Sequence, residues 1–185
     1  MSERNKIISL CDYTGIWGGQ YEDQYEVIYV DLQRTPAADV RLFQYTDNVH
    51  GIIAQPPCDH LANCGARWYR SKGDKKLIEG LQLVDACIRI IVAHRPQIKW
   101  WVLENPVGRL IHYLGPWAHT YNPNDYGDPY TKRTLLWGEF TMPQKNPVEP
   151  VDGSKMHLIA PGPDRKNIRS ASPVGFCEAF RMANP

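Results

Sequence analysis

Apolar residues fall along this chain in short runs broken by polar, glycine- and proline-rich stretches, with one long exception. The runs at Lys6–Cys11, Tyr25–Leu32, Val49–Ala54 and Ile98–Leu103 have the length of buried strands, and Thr134–Trp137 is a fifth candidate. Asp39–Phe43 is too short and mixed to assign. From Asp74 to His94, the residues Leu77, Ile78, Leu81, Val84, Cys87, Ile88, Ile91 and Val92 recur at three- and four-residue spacing. That spacing predicts an amphipathic helix, closed by Arg95-Pro96. Met142–Pro163 is proline-rich and aperiodic and reads as loop, and Ser172 as N-cap with Pro173 at the first helical position opens a C-terminal helix. Strands alternating with helical or loop crossovers predict a single α/β domain over residues 1–185, a mainly parallel central sheet with helices on both faces.

In such a sheet, functional groups collect beyond the carboxyl ends of the strands. Asp12, Asp31, Cys58 and Glu104 each stand at or just past such an end. The segment Val49–His60 is the most pointed. Its apolar strand runs into Pro56-Pro57, which remove backbone donors and fix φ, and then into Cys58. A thiol on a stiff turn at the end of a buried strand is well placed to be a nucleophile. Gly15, Gly18 and Gly19 after the first strand suit a tight turn that lets a backbone approach a ligand closely.

Composition narrows the setting. The chain has 185 residues, 43% hydrophobic and 22% charged, as in an ordinary globular domain. No window has the length of a membrane span and the N-terminus lacks a signal-peptide core, so a cytoplasmic protein without membrane partners is expected. Five scattered cysteines do not form a disulfide framework. A net charge of +1 gives no global nucleic-acid signal, although a local basic face is compatible with it. Six Trp and ten Tyr serve equally as core or as stacking surfaces for bases. Cys58, His60 and Cys64 are all capable metal ligands, but no second Cys/His pair follows at a matching spacing, and no metal is expected.

Taken in order, Pro57-Cys58, Glu104-Asn105-Pro106 and Tyr126-Gly127-Asp128-Pro129 leading to Thr134–Gly138 resemble the cytosine-specific (carbon-5) DNA methyltransferases, most closely the short forms typical of bacteriophages. The resemblance implies a Rossmann-like, S-adenosylmethionine-dependent fold and transfer of a methyl group to carbon 5 of cytosine through a covalent cysteine adduct. It implies Cys58 as the nucleophile and Glu104 as the group that binds the base edge, with Asn105 shaping the turn. Around the S-adenosyl-L-methionine it implies Asp12, Tyr13, Thr14, Gly15 and Pro57, then Asp31 with Leu32 for the ribose, and Asp39 with Val40 facing the adenine. Lys132 and Arg133 fall near the family's basic motif and are the phosphate candidates. If the chain is phage-encoded, its compartment is the host cytoplasm.

Three departures mark the chain. Cys11 stands where an aromatic is common, Trp17 interrupts the glycines, and Tyr130 and Thr134 replace the Gln and second Arg of the basic motif. The segment 139–169 is loop-rich and too short for a target-recognition domain, which makes single-stranded or distorted DNA the more plausible substrate. Two other readings compete. Gln55-Pro56-Pro57-Cys58 nearly matches the motif of exocyclic-amine DNA methyltransferases, and a catalytically impaired relative would bind cofactor or nucleic acid without turnover.

Overall fold

A computed structural model describes residues 4–185. Its centre is a six-stranded sheet in the order β2-β1-β3-β4-β6-β5. The strands are β1 (Lys6–Leu10), β2 (Glu26–Val30), β3 (Val49–Ala54), β4 (Trp100–Pro106), β5 (His119–Tyr121) and β6 (Thr134–Glu139). β2, β1, β3 and β4 pair in parallel, whereas β6 runs antiparallel to both β4 and β5. The expected sheet is therefore mostly parallel, with an antiparallel margin that the sequence reading did not foresee. β5 was missed altogether, because three residues carry no measurable period.

The two faces of the sheet are chemically different. Alternation along the strands sends Ile8, Ile52 and Leu103 to one side and Ile7, Ile53 and Val102 to the other. The first side is aliphatic and is covered by α2 (Tyr69–His94) through Val84, Cys87, Ile90 and Ile91. The second is aromatic: Trp17 of α1 (Ile16–Gly19) and Phe176 and Phe180 of α5 (Val174–Ala183) pack with Tyr21, Trp100, Tyr121 and Tyr126. Helices thus lie on both faces, as expected, and much of the aromatic content is core. Gly51 is part of this packing, since a Cβ there would sit 2.4 Å from the Trp100 ring.

Several boundaries move. The backbone of α2 is broken at Gly73, whose φ of 68° and ψ of −179° separate a first turn from the helix expected to begin at Asp74. Within α2, Ile78 and Val92 are exposed while Ile90 is buried, so the buried stripe is rotated from the one read off the periodicity. Ser172 is not the N-cap of α5; Pro173 occupies that place with extended backbone, leaving the Ser172 hydroxyl to accept from Gln55 Nε2 at 2.5 Å. β4 continues through Glu104-Asn105-Pro106 instead of ending in a turn, because these residues pair with Leu136, Leu135 and Thr134 of β6. Two short helices complete the set, α3 (Ile111–Leu114) after β4 and α4 (Arg165–Ser170) after the expected loop from 142 to 163. Among the described residues no helix is long and apolar enough to cross a membrane.

Candidate active site

The order β2-β1-β3-β4 reverses direction between β1 and β3: the chain adds β2 on one side of β1 and then returns to lay β3 on the other. That crevice is where an open α/β sheet offers room for a ligand. A cleft opens there. Its walls include Asp12, Tyr13 and Thr14 after β1, Gln55, Pro57 and Cys58 after β3, Glu104 from β4, Lys132 before β6, and Arg169 and Ser170 from α4.

Cys58 and Glu104 meet because two loops are laced together beneath them. Asn105 Nδ2 donates to the Pro56 carbonyl at 2.8 Å, tying β4 to the proline turn. Further on, Asn63 N donates to the Val107 carbonyl and Arg109 N to the Leu61 carbonyl, each at 2.9 Å. Arg109 Nε and the Tyr69 hydroxyl add donations to the His60 and Leu61 carbonyls at 3.0 and 2.6 Å. This lacing requires glycine at 108, where a Cβ would lie 2.1 Å from the Leu61 carbonyl oxygen. Asn105 lies within β4 and not in a turn of its own, and its hydrogen bond instead ties that strand to the proline turn; the role of Gly108 has no signal in the sequence.

Electrostatics at the cleft suppress ionisation. Burial, and then the neighbouring Glu104 carboxylate, push the Cys58 thiol up to about 11, with Lys132 pulling weakly the other way. Burial also raises Glu104, again opposed by Lys132. Two acids of this kind beside each other do not ionise together readily. Lys132 is fixed by donation from its Nζ to the Arg169 carbonyl at 2.9 Å.

The residues expected around a cofactor divide into two groups. Tyr13, Thr14 and Pro57 line the cleft with Asp12. The Asp12 carboxylate is buried and accepts from Ser9 Oγ, Thr14 Oγ1, Gly15 N and Gly18 N at 2.9, 3.3, 2.8 and 3.1 Å. Its visible work is to hold the turn into α1, where Gly15 takes a φ of 69°. Gly18 serves packing, with Ser9 and Tyr29 filling the space a Cβ would need. Gly15, Asp31, Leu32, Asp39 and Val40 are not among the cleft walls, nor are Asn105 and Arg133. Asp31 Oδ1 accepts from Gln33 N at 2.7 Å, Leu32 is exposed, and Val40 belongs to the aliphatic core. Asp39 is gripped by Arg41, with Nη2 2.6 Å from Oδ2, and this pairing lowers its carboxyl. Arg133 is exposed.

Reading the sequence missed Gln55, Arg169 and Ser170 as wall residues. Gln55 precedes Pro56 directly and was within reach of the strand-end argument; Arg169 and Ser170 arrive by tertiary folding alone. Cys64 is exposed, and among the described residues no three His, Cys, Asp or Glu side chains converge on a metal-sized site.

No family model matches the sequence. No curated protein matches it either. Among solved structures the chain is similar to a crystal structure of a candidate DNA modification methyltransferase encoded within a prophage (E. coli), with a TM-score of 0.47 and 16% identity. The likeness covers 72% of this chain and 46% of that one, so the chain spans less than half the length of the protein it matches. A likeness this loose carries no functional weight, and the cleft has to speak for itself.

Proposed function

We propose that the protein transfers a methyl group from S-adenosyl-L-methionine to carbon 5 of cytosine in DNA, within a Rossmann-like methyltransferase domain. The observation that carries this reading is the meeting of Cys58 and Glu104 in one cleft at the switch point of the sheet, with Lys132 beside them. A thiol is both a good nucleophile and a competent leaving group, and a neutral carboxylic acid can supply a proton to a ring nitrogen.

The chemistry balances on these residues. Glu104, whose carboxyl burial raises, donates to the ring nitrogen of the base as the Cys58 sulfur bonds to carbon 6 and its thiol proton passes to solvent. Carbon 5 thereby gains electron density. After methylation the carbon 5 proton passes to solvent, the sulfur–carbon bond breaks with its electron pair returning to sulfur, Glu104 recovers its proton from the ring nitrogen, and the thiolate takes a proton from solvent. The high resting position of the Cys58 thiol means that a bound base must help draw its proton away.

The residues present fit the cofactor. Tyr13, Thr14 and Pro57 line the crevice. Asp31 stands at the end of β2 with one carboxylate oxygen bonded to Gln33 N, leaving the other able to accept from ribose hydroxyls. Leu32, Asp39 and Val40 do not add to this set, since Val40 is buried in the aliphatic core and Asp39 is held by Arg41. The cofactor supplies an electrophilic methyl group. Lys132 and Arg133 are the candidates for a nearby phosphate.

A second reading draws on Gln55, whose Oε1 is buried without a partner and which forms part of the cleft wall. An amide acceptor there suits an exocyclic amine, the target of a methyltransferase that needs no thiol. Incubating the protein with labelled cofactor and DNA containing 5-fluorocytosine separates the two. A covalent adduct lost in Cys58→Ser is expected; full methylation by Cys58→Ser would transfer the case to the amine, and cofactor binding without methylation of any nucleic acid would end the enzyme reading.

A further inference from the structure

The net charge of +1 hides a sharp asymmetry. Positions 67–76 hold Arg67, Arg70, Lys72, Lys75 and Lys76 against Asp74 alone, and positions 165–169 hold Arg165, Lys166 and Arg169 with no acid. Together the two segments carry +7, so the chain is −6 everywhere else. They are far apart in sequence, yet both close on the residue beside the candidate nucleophile. Lys72 Nζ donates to the Asp59 carbonyl at 2.7 Å, and Lys166 Nζ lies 2.7 Å from Asp59 Oδ2. Arg169 lines the cleft itself.

Most of this charge is unspent. Arg67, Arg70, Lys75 and Lys76 are exposed, and of these only Lys76 is held in an ion pair among the described residues, with Glu79. Trp68 is 53% exposed at the same edge, with the Arg67 guanidinium 5.2 Å from its ring centre. A large aromatic face left open among unpaired cations is the combination that binds single strands: cations follow the phosphates and the ring stacks an unpaired base.

We propose that residues 67–76 and 165–169, with the Trp68 ring, form a track for the backbone of a single nucleic-acid strand that leads to Cys58. This deepens the proposed function, on which it rests, by supplying a substrate contact beside the cleft. The track reads phosphate and stacking, so it predicts little preference for base sequence.

Binding of a fluorescein-labelled twenty-nucleotide deoxycytidine strand, followed by anisotropy across a salt series, tests it. Arg67→Gln/Arg70→Gln/Lys75→Gln is expected to weaken binding at least tenfold and to flatten the slope of log affinity against log salt by about 2. Trp68→Ala is expected to cost about tenfold, and tryptophan fluorescence of the native chain should be quenched by the strand. Thermal melts confirm that the variants fold, and Arg67→Lys, which keeps the charge, should bind normally. The RNA strand of the same sequence is expected to bind as well, because phosphate contact and stacking are common to both, and rejection of RNA would overturn a track that reads only these two features. Cys58→Ser keeps the track and should bind as well as the native chain, so strand binding is measured apart from turnover. Native affinity in the triple variant overturns the track even if the 5-fluorocytosine adduct forms. Equal binding of poly-glutamate also overturns it, because any polyanion would then do.

Discussion

Cys58 and Glu104 share one cleft, whereas Asp31 and Asp39 stand outside its walls, although Glu104 lies in a strand of the same sheet that the other three follow. The difference lies in what holds each residue. Ala54 and Leu103 are register partners in β3 and β4, and Asn105 and Gly108 lace the loops that follow, so the thiol and the carboxyl have few other places to go. Asp31 and Asp39 sit in the long crossover between β2 and β3, where carboxylates bind their own neighbours: Gln33 N for one and Arg41 for the other. Strand register delivers side chains to a common point. A loop acid satisfies itself locally.

The contrast can be broken most directly at the thiol. Cys58→Ser should lower methyl transfer at least about 10³-fold while leaving cofactor affinity intact, whereas Asp31→Ala should weaken cofactor binding about tenfold and leave adduct formation at saturating cofactor unchanged. If calorimetry finds native cofactor affinity in Asp31→Ala, the crossover side of the contrast has no share in the site.

Glu104→Gln is expected to lower the rate about 10²- to 10³-fold. It should also change the thiol. In the native chain, alkylation of Cys58 should climb about tenfold per pH unit toward about 11, well behind the exposed Cys64. Removing the adjacent negative charge should slide that profile to lower pH, and an unmoved profile would separate the two groups electrostatically. Stability moves in the opposite direction to activity. Because the folded Glu104 carboxyl is raised, the native state is favoured below the ordinary carboxylate range and loses that advantage as pH rises through the folded value. Glu104→Gln should therefore melt higher than the native chain at pH 7.5 and show little gain at pH 4.

Gly108→Ala tests the lacing. Forcing a methyl group against the Leu61 carbonyl should cost about 1–3 kcal/mol in denaturant unfolding and slow the reaction of Cys58 more than that of Cys64. Asp39→Asn has the smallest expected effect. It removes a solvent-screened pair with Arg41, so unfolding in denaturant should be nearly unchanged, and a clear loss of stability would mean the crossover is more tightly built than its hydrogen bonds indicate.

Much of this was legible before folding. The alternation of Ile7 with Ile8 and of Ile52 with Ile53 declares strands buried on both faces, and the spacing from Leu77 to Ile91 declares the helix that covers one of them. Period-based reading fails where an element is held by partners. β5 exists because β6 pairs with it, and β4 extends through Glu104 because β6 continues alongside. The exposed Ile78 and Val92 show the same limit, since the face a helix buries depends on how it is rotated against the sheet.

By itself, then, the sequence determined an α/β domain, the positions of its main strands and long helix, and the residue types at the strand ends, because apolar period and proline or glycine punctuation act over a few residues. The tertiary structure alone decided that Cys58, Glu104 and Lys132 face one cleft, that Asp12 serves its own turn, and that Lys72 and Lys166 converge on Asp59. Those facts depend on strand order, crossovers and loop lacing between residues distant in the chain, and no local pattern encodes a distance between them.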